Sequence, residues 1–595
     1  MFKKKLLKLY CQNRRRWMRP YLFLILLLGV LFVIGKSYWQ SQSWLVTGNR
    51  TGVTSVSPSP FQTKHPNLKS EDDIAIEEGL IHLAGKLARA GQQSTSLSDS
   101  LTVNSAYQEV IGLVDRMVYL RAKQVRCLDK GPDSDTEDHC VRDVTVVASF
   151  VHCSNAGMDV VDKFISSVRA SYGAVRIIAG VNADMISSSK KYFHTVIKLF
   201  DQRTKETDVW KHLLSSVTTD YVYVARDVLE FSKHTKLESL VDSLTSTVAM
   251  AVSSATKELP TGQWSDGCYQ TLFQNYELKY SKGYHVSLKS CLVCHHLSTP
   301  FVTYTKLITQ QLLLQKGMTA TSGFSIWFLD LLKTEKVVLS FPSSIVHVGK
   351  ASELSVEHNE WLELVKYHQI EKIYLPDGVH LLYNCEEAET WCVSSHPPGI
   401  ARSWCCLKQL AKEVQTVMRE CEQAGLFCEV TDGTILGIVK FESSLPWEVD
   451  GDLELETNNV TKFTSIVSPK LEETGYSEYA YKGYLNFKSS AGWTVEVFYI
   501  GSLGSTRLKA SGLSVTRALL DGQYITTCES PGLLARNRYG HEIYQHVNHW
   551  SSQGAASSWM FYEAGEFAKC TQTGHHACLD QFRADGSTQF WLASR

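Results

Sequence analysis

Residues 445–455 read Leu-Pro-Trp-Glu-Val-Asp-Gly-Asp-Leu-Glu-Leu. Acidic residues alternate there with apolar or small ones, and this period of two predicts a β-strand. Successive side chains of a strand point to opposite sides, so the acids share one face: Glu448, Asp450, Asp452 and Glu454. Carboxylates crowded in this way repel one another unless a cation neutralises them. By itself the stretch fits either a metal site or the solvated face of an edge strand.

A second strand is predicted at residues 492–500, which read Gly-Trp-Thr-Val-Glu-Val-Phe-Tyr-Ile. Glu496 stands there between two valines, where burial of a carboxylate costs free energy without a cation or hydrogen-bond donors. The two stretches together favour the metal site. A cation held by Asp450, Asp452 and Glu496 would neutralise both stretches.

A predicted strand, residues 426–430, precedes these acids and leads into the turn Asp432-Gly433-Thr434, where a helix begins. A glycine lets the backbone approach a phosphate, and the free N–H groups of a helix N-terminus face an anion. Thr434 adds a hydroxyl group. This order of strand, Gly-Thr turn and two acidic strands is typical of the nucleotidyltransferase fold, in which three such acids hold divalent metals. By this likeness, Asp450, Asp452 and Glu496 are predicted to bind magnesium, or manganese, and to be catalytic together with Glu448.

Two motifs resemble the signature of the LicD-type phosphotransferase family: residues 433–437, Gly-Thr-Ile-Leu-Gly, and residues 447–452, Trp-Glu-Val-Asp-Gly-Asp. The second motif matches the last two acids of the family's Trp-Asp-x-Asp-x-Asp run, but Glu448 replaces the first. Glu496 stands where the family has a later aspartate, and Lys440 where it usually has an arginine. Each replacement keeps the charge, but the glutamates are longer and lysine lacks the arginine fork.

The resemblance implies a Golgi enzyme that transfers ribitol 5-phosphate from CDP-ribitol to the O-mannosyl glycan of α-dystroglycan. Another CDP-activated donor, such as one that carries phosphocholine, is the alternative within the enzyme class. A catalytically silent protein that binds a glycan or another transferase is the alternative outside it. The residues expected to contact substrate are Gly433, Thr434, Gly437, Lys440, Arg536 and Arg538.

Four cysteines lie just before this region, as Cys385-x6-Cys392 and then the adjacent pair Cys405-Cys406. Four thiolates can hold a structural zinc ion, whereas a disulfide between neighbours would strain the peptide. The spacing leaves zinc and two disulfides equally open, and the resemblance implies zinc. Other cysteines are close enough in sequence to pair: Cys127 with Cys140, Cys421 with Cys428, and Cys570 with Cys578.

The N-terminus predicts a type II membrane protein. Residues 1–19 hold eight Lys or Arg and no acid, and an uncharged stretch follows. We therefore predict a cytosolic tail over residues 1–19, an anchor over 20–39 and a stem over 40–140. Sixteen cysteines and sequons at Asn49 and Asn459 fit a secretory lumen.

Residues 141–370 alternate short apolar runs with helical patterns, which predicts a glycosyltransferase-like α/β domain. Strands are expected at residues 144–151, 174–181, 195–200, 221–224, 247–252 and 337–341. Ala225 stands where the first acid of a metal-binding Asp-x-Asp would be, and a lone Asp227 is a poor cation site. The domain is therefore predicted to lack that activity.

The predicted fold class is α/β plus α+β, with a zinc loop over 371–410 and a phosphotransferase domain over 411–595. The 60 basic and 61 acidic residues nearly cancel, so no overall charge recruits nucleic acid. The expected partners are a CDP-activated donor, a glycoprotein glycan and the Golgi membrane. Self-association is left open.

Overall fold

A computed structural model describes the chain in several segments. The described residues are 71–93, 103–115, 143–152, 157–185, 194–288, 290–311, 318–350, 353–390, 392, 397, 399–499, 503, 515–539, 570–572 and 574–579. The chain forms two compact units, Met1–Leu83 and Ala84–Arg595. All the sheets of the described residues belong to the second unit.

Runs of valine, isoleucine and alanine form the first sheet, to which eleven described strands contribute. These β-branched and small residues fit a sheet that helices cover on both faces. The strands are β1 (Val144–Ser149), β2 (Arg176–Asn182), β3 (Thr195–Phe200), β4 (Tyr221–Val224), β5 (Val228–Phe231), β6 (Ala249–Glu258), β7 (Trp264–Ser265), β10 (Val286–Leu288), β11 (Cys291–Cys294), β13 (Phe301–Tyr304) and β14 (Val337–Val348). The four strands β3, β2, β1 and β4 are parallel neighbours.

Five described strands form a second sheet beside the first. They are β8 (Cys268–Gln274), β9 (Glu277–Lys282), β12 (His296–Leu297), β15 (Lys372–Tyr374) and β16 (His380–Leu382). Strand β15, at the beginning of the predicted zinc loop, pairs with β9 and so belongs to the second sheet.

The third sheet carries the acidic stretches, in the order β17-β18-β21-β20-β19. Its strands are β17 (Cys428–Val430), β18 (Asp450–Leu455), β19 (Ser477–Tyr481), β20 (Tyr484–Lys488) and β21 (Thr494–Phe498). A separate hairpin consists of β22 (Val515–Leu520) and β23 (Gln523–Cys528). Alternation explains the packing of β21, because Val495 and Val497 are buried in the core whereas Glu496 points to the other face.

The described helices are α1 (Glu71–Gln93), α2 (residues 103–115), α3 (Met158–Ser171), α4 (Glu206–Ser215), α5 (Leu237–Ser246), α6 (Thr305–Gln311), α7 (Ala320–Lys333), α8 (Leu362–His368), α9 (Trp404–Gln423), α10 (Asp432–Phe441), α11 (Val460–Glu473) and α12 (Pro531–Tyr539). Helices that contact a sheet do so through an apolar stripe. In α9, Val414, Val417 and Met418 are buried against the third sheet, as the three-and-four spacing predicts.

The mixed α/β architecture agrees with the predicted fold class, and all six strands expected between residues 144 and 341 are present. Within the described segments, no helix has the length and apolar character to cross a membrane. The predicted anchor at residues 20–39, like Asn49 and the pair Cys127 and Cys140, lies outside those segments.

Candidate active site

The acidic residues meet on one face of the third sheet. Strands β18 and β21 run parallel, and their register sets Asp452 beside Glu496 and Asp450 beside Thr494. Glu448, which precedes β18, is buried. The structure therefore brings together the four carboxyl groups that the sequence singles out as catalytic.

The Gly-Thr turn holds the central acid in place. The backbone N–H of Gly433 donates to Asp452 Oδ2 at 2.9 Å, and the backbone N–H of Asp452 donates to Thr434 Oγ1 at 2.7 Å. A Cβ atom at Gly433 would lie 2.2 Å from Glu448 Oε2, so only glycine lets this carboxyl approach the turn. The turn that was predicted to face a phosphate is thus engaged with Asp452.

Burial and mutual repulsion raise the pKa of each acid in this cluster. Burial is the largest cause for Glu448 and Asp452, and the charge of Asp450 adds to it. Burial also raises the pKa of Asp450 and Glu496, with Asp432 contributing a further negative charge. Five carboxyl groups so close together create a strongly negative site.

Arg402 is a buried cation beside the acids that the sequence did not reveal. Its Nε–H donates to the backbone oxygen of Glu448, and its guanidinium lies 4.7 Å from the centre of the Trp493 ring. Burial lowers the pKa of Arg402 to about 10, although the negative charges of Glu448 and Asp450 act to raise it. No local motif marks this arginine, because Glu448, whose backbone oxygen it contacts, is 46 positions away in the sequence and Trp493 is farther still.

Asn486 is a second residue that sequence reasoning missed. It lies opposite Glu496 in the antiparallel pair of β20 and β21, and its Nδ2–H donates to Glu496 Oε1 at 3.3 Å. A signal was available, since Asn486 stands between the buried Leu485 and Phe487. Period-two alternation therefore sets it on the same face as the acids.

The donor set suits a divalent cation that prefers oxygen ligands. Glu448 Oε2 is buried without a hydrogen-bond donor, as expected of an oxygen that a cation would satisfy. Across the part of the chain that is described, however, no three His, Cys, Asp or Glu side chains form a ready-made metal site. The chemistry of the residues fits magnesium or manganese, while a bound metal remains a prediction.

The other predicted substrate contacts lie apart from the acids or have a structural role. Lys440 occupies the last turn of α10, about 10 Å along the helix from Gly433, and burial lowers its pKa to about 8. A Cβ at Gly437 would lie 2.5 Å from the backbone oxygen of Ser443, so this glycine permits close packing. Arg536 is exposed on α12, and the side chain of Arg538 lies outside the described part.

The four cysteines of the predicted zinc loop form two disulfides, Cys385 with Cys405 and Cys392 with Cys406. This is the alternative that the spacing left open, and it avoids a bond between adjacent residues. The structure therefore does not show a zinc site. The predicted pairs Cys421–Cys428 and Cys570–Cys578 are confirmed, and Cys268–Cys294 is a further pair that was not anticipated.

In the first sheet, Asp227 follows β4 and is exposed, while Ala225 is buried at the end of the strand. The Arg226 guanidinium lies 4.7 Å from the centre of the Phe324 ring. Asn459 ends a short 3-10 turn before α11 and is partly exposed.

No protein-family model matches the chain, and no curated protein matches it significantly. Distant similarity to solved structures exists. The bifunctional IspDF from Campylobacter jejuni aligns over 32% of this chain and 47% of its own, at 13% identity and a TM-score of 0.20. The 4-diphosphocytidyl-2C-methyl-D-erythritol synthase from Anaerococcus prevotii DSM 20548 aligns over 38% and 96%, at 14% identity and 0.23. The mannosyltransferase PcManGT from Pyrobaculum calidifontis, solved with GDP-Man and Mn2+, aligns over 47% and 71%, at 12% identity and 0.25.

Proposed function

We propose that the chain is a metal-assisted phosphotransferase and that the acid-bearing face of the third sheet is its active site. The observation that carries the proposal is the placement of Asp452 beside Glu496, with Glu448 and Asp450 in the same cluster. Such a concentration of charge on a folded protein calls for a cationic partner. A buried carboxylate oxygen without a donor at Glu448 supports the same interpretation.

Asp450, Asp452 and Glu496 would hold the divalent metal, which when bound would neutralise charge on a donor diphosphate. A glycan hydroxyl oxygen would form a bond to the donor phosphorus as the bond between that phosphorus and the leaving CMP oxygen breaks. The hydroxyl proton would pass to a carboxylate, for which Glu448 is suited because its pKa is raised by burial. Gly433 and Thr434 would act as positioning residues, since they fix Asp452.

The donor that we propose is CDP-ribitol, and the acceptor is the O-mannosyl glycan of α-dystroglycan, as in the reaction of fukutin-related protein, which the sequence motifs resemble. CDP-choline is the second donor to test, because the family resemblance extends to several CDP-activated donors. We also propose a Golgi location with the sheets in the lumen. Five disulfides in the described segments support an oxidising compartment.

The test is CMP release by the full-length chain from CDP-ribitol, with a phosphorylated O-mannosyl glycopeptide as acceptor and with or without magnesium. Asp452→Asn keeps an acceptor for the Gly433 N–H but removes the charge, so it should lower the rate at least a hundredfold. Glu456→Gln is the matched control, because Glu456 is an exposed acid just beyond β18. It should retain the wild-type rate.

Magnesium-dependent release that Asp452→Asn abolishes and Glu456→Gln preserves would support the proposal. Release from CDP-choline alone would replace the donor but keep the site. No release from either donor by folded protein would instead favour the silent partner.

A further inference from the structure

An aromatic row lies on the same sheet face as the acids, at the end where the β19–β20 hairpin turns. Tyr481 is opposite Tyr484 in that hairpin, and Tyr484 is opposite Phe498 of β21. The Tyr481 and Tyr484 rings are stacked, with centroids 4.9 Å apart and planes 13° apart, and the Phe498 ring lies 5.3 Å from that of Tyr484. Tyr481 is 51% exposed, so much of the row faces outward.

The hairpin end that carries this row is tied to the sheet by Tyr499. Its hydroxyl donates to the backbone oxygen of Tyr481 at 3.1 Å and accepts from the N–H of Gly483 at 3.4 Å. Its backbone N–H donates to the oxygen of Gly483 at 2.9 Å. The aromatic row is therefore held in a fixed position relative to β21, as a binding surface requires.

The strand register sets the distance between the row and the acids. Glu496 and Phe498 are two residues apart on β21, so their side chains leave the same face about 7 Å apart. Asn486 and Tyr484 have the same relation on β20. Burial and then the negative charge of Glu496 raise the pKa of Tyr484, as expected of a tyrosine near the acids.

We propose that Tyr481, Tyr484 and Phe498 bind the apolar face of the acceptor sugar ring, which sets a hydroxyl of that sugar against the acid cluster. This inference rests on the proposed function and names a subsite for its acceptor. A sugar ring bound to the aromatic row can direct one of its hydroxyl groups towards Glu496, about 7 Å away. A nucleobase is separated from its reacting phosphate by a ribose and a second phosphate, so it needs a longer reach. The half-exposed Tyr479, in register with Asn486, adds a hydroxyl beside the row.

The binding test uses the full-length chain and two probes, a phosphorylated O-mannosyl glycopeptide and CMP, each titrated by calorimetry. Tyr481→Leu and Tyr484→Leu remove the rings but keep apolar strand residues, whereas Tyr481→Phe keeps a ring. Each leucine variant should raise the Kd of the glycopeptide roughly three- to tenfold and leave that of CMP unchanged. Tyr481→Phe should stay within twofold of wild type.

Tyr524→Leu is the matched control, because Tyr524 is a 66% exposed strand tyrosine on β23, away from this face. Thermal unfolding of every variant separates lost binding from lost folding, and the other leucine variant serves if one of the two fails to fold. Weakened CMP binding with unchanged glycopeptide binding would overturn the inference in favour of a nucleobase subsite. Absent glycopeptide binding by wild type, or equal binding by all variants, would also overturn it.

The two proposals fail separately. If no CMP is released from any donor but glycopeptide binding still depends on the rings, the saccharide subsite stands and the phosphotransferase does not. If magnesium-dependent transfer occurs and the glycopeptide Kd does not change when the aromatic rings are removed, the phosphotransferase proposal stands and the subsite proposal does not.

Discussion

At the scale of single residues, the acid cluster depends on a buried counter-charge. Arg402 belongs to no sequence motif, yet it combines a hydrogen bond to the Glu448 backbone with a cation–π contact to Trp493. Charges of Glu448 and Asp450 act on it directly. Arginine suits this place because its planar group can stack and donate at once.

Arg402→Gln should therefore lower the free energy of unfolding by about 3 kcal/mol, because it leaves buried carboxylates without their cation. The loss should shrink by at least about 1 kcal/mol in a Glu448→Gln background, since one of those carboxylates is then neutral. Urea unfolding of the four proteins, followed by tryptophan fluorescence in the presence of a chelator, measures this cycle. Strictly additive losses would show that Arg402 and Glu448 do not interact.

Gly437 is a second decisive residue, because it lets α10 pack on the loop that leads into β18. A Cβ there would lie 2.5 Å from Ser443 O and 2.9 Å from Leu445 N, both of them backbone atoms that cannot rotate away. Gly437→Ala should therefore destabilise the protein by about 1–3 kcal/mol.

Gly532→Ala is the control for this effect, since the nearest neighbouring atom, Val439 Cγ1, would be 3.9 Å from the new Cβ. The prediction is tested by comparing the unfolding midpoints of the two variants with that of wild type. Equal midpoints for Gly437→Ala and wild type would contradict the packing role.

At the scale of elements, two disulfides fasten residues 385 and 392 to the first turn of α9. Ser403 caps that helix, and Arg402 directly precedes the cap. The disulfides therefore help to hold the helix start from which Arg402 reaches the acids. Two disulfides and a zinc site predict opposite responses to a reducing agent and to a chelator.

We expect dithiothreitol, not a chelator, to destabilise this region. Loss of the Cys392–Cys406 bond, which closes a segment of 14 residues, should cost about 3 kcal/mol. Intact mass spectrometry should show these four cysteines resistant to alkylation until reduction. One equivalent of zinc, together with four alkylatable thiols after chelation, would contradict the disulfides and restore the zinc interpretation.

The sequence predicted elements better than it predicted their partners. Period-two alternation identified β18 and β21, and β3 and β4 matched the predicted bounds, because local pattern and propensity determine strands. Arg402 and the second sheet depend on contacts between distant segments, such as β15 with β9, which no local pattern contains. Sequence reasoning expected the Gly-Thr turn to face a phosphate. It did not anticipate that the Gly433 N–H donates a hydrogen bond to Asp452.

At the scale of the whole molecule, the C-terminal segment at residues 570–579 connects the second sheet with the segment that leads into α9. Tyr276 N–H donates to His576 Nδ1 at 3.2 Å, and Ala401 N–H donates to the backbone oxygen of Ala577 at 2.7 Å. The rings of Phe273 and His576 have centroids 4.0 Å apart. The stability of the second sheet is therefore coupled, through a buried histidine, to that of the segment before α9.

Three buried histidines make the fold sensitive to acid. Burial lowers the pKa of His296 to about 3, with Arg226 adding to the effect. Burial and then Lys333 lower the pKa of His368 to about 3, although Asp330 Oδ1 lies 3.8 Å away. His576 is shifted in the same direction by burial and by neighbouring His575.

The stability that these three histidines contribute should consequently be complete above the unfolded histidine pKa of about 6.5 and should be lost as the pH drops from there towards 3, because the unfolded chain binds protons at these histidines that the folded one excludes. Each histidine contributes up to about 1.4 kcal/mol per pH unit in that window. His296→Phe keeps an aromatic ring among Tyr269, Tyr280 and Phe328 and should reduce the slope by about that amount. His380→Gln, at an exposed position of β16, should leave the slope unchanged. Urea unfolding at pH 7, 6 and 5 measures both slopes, and identical slopes for His296→Phe and wild type would mean that His296 is protonated in the folded protein.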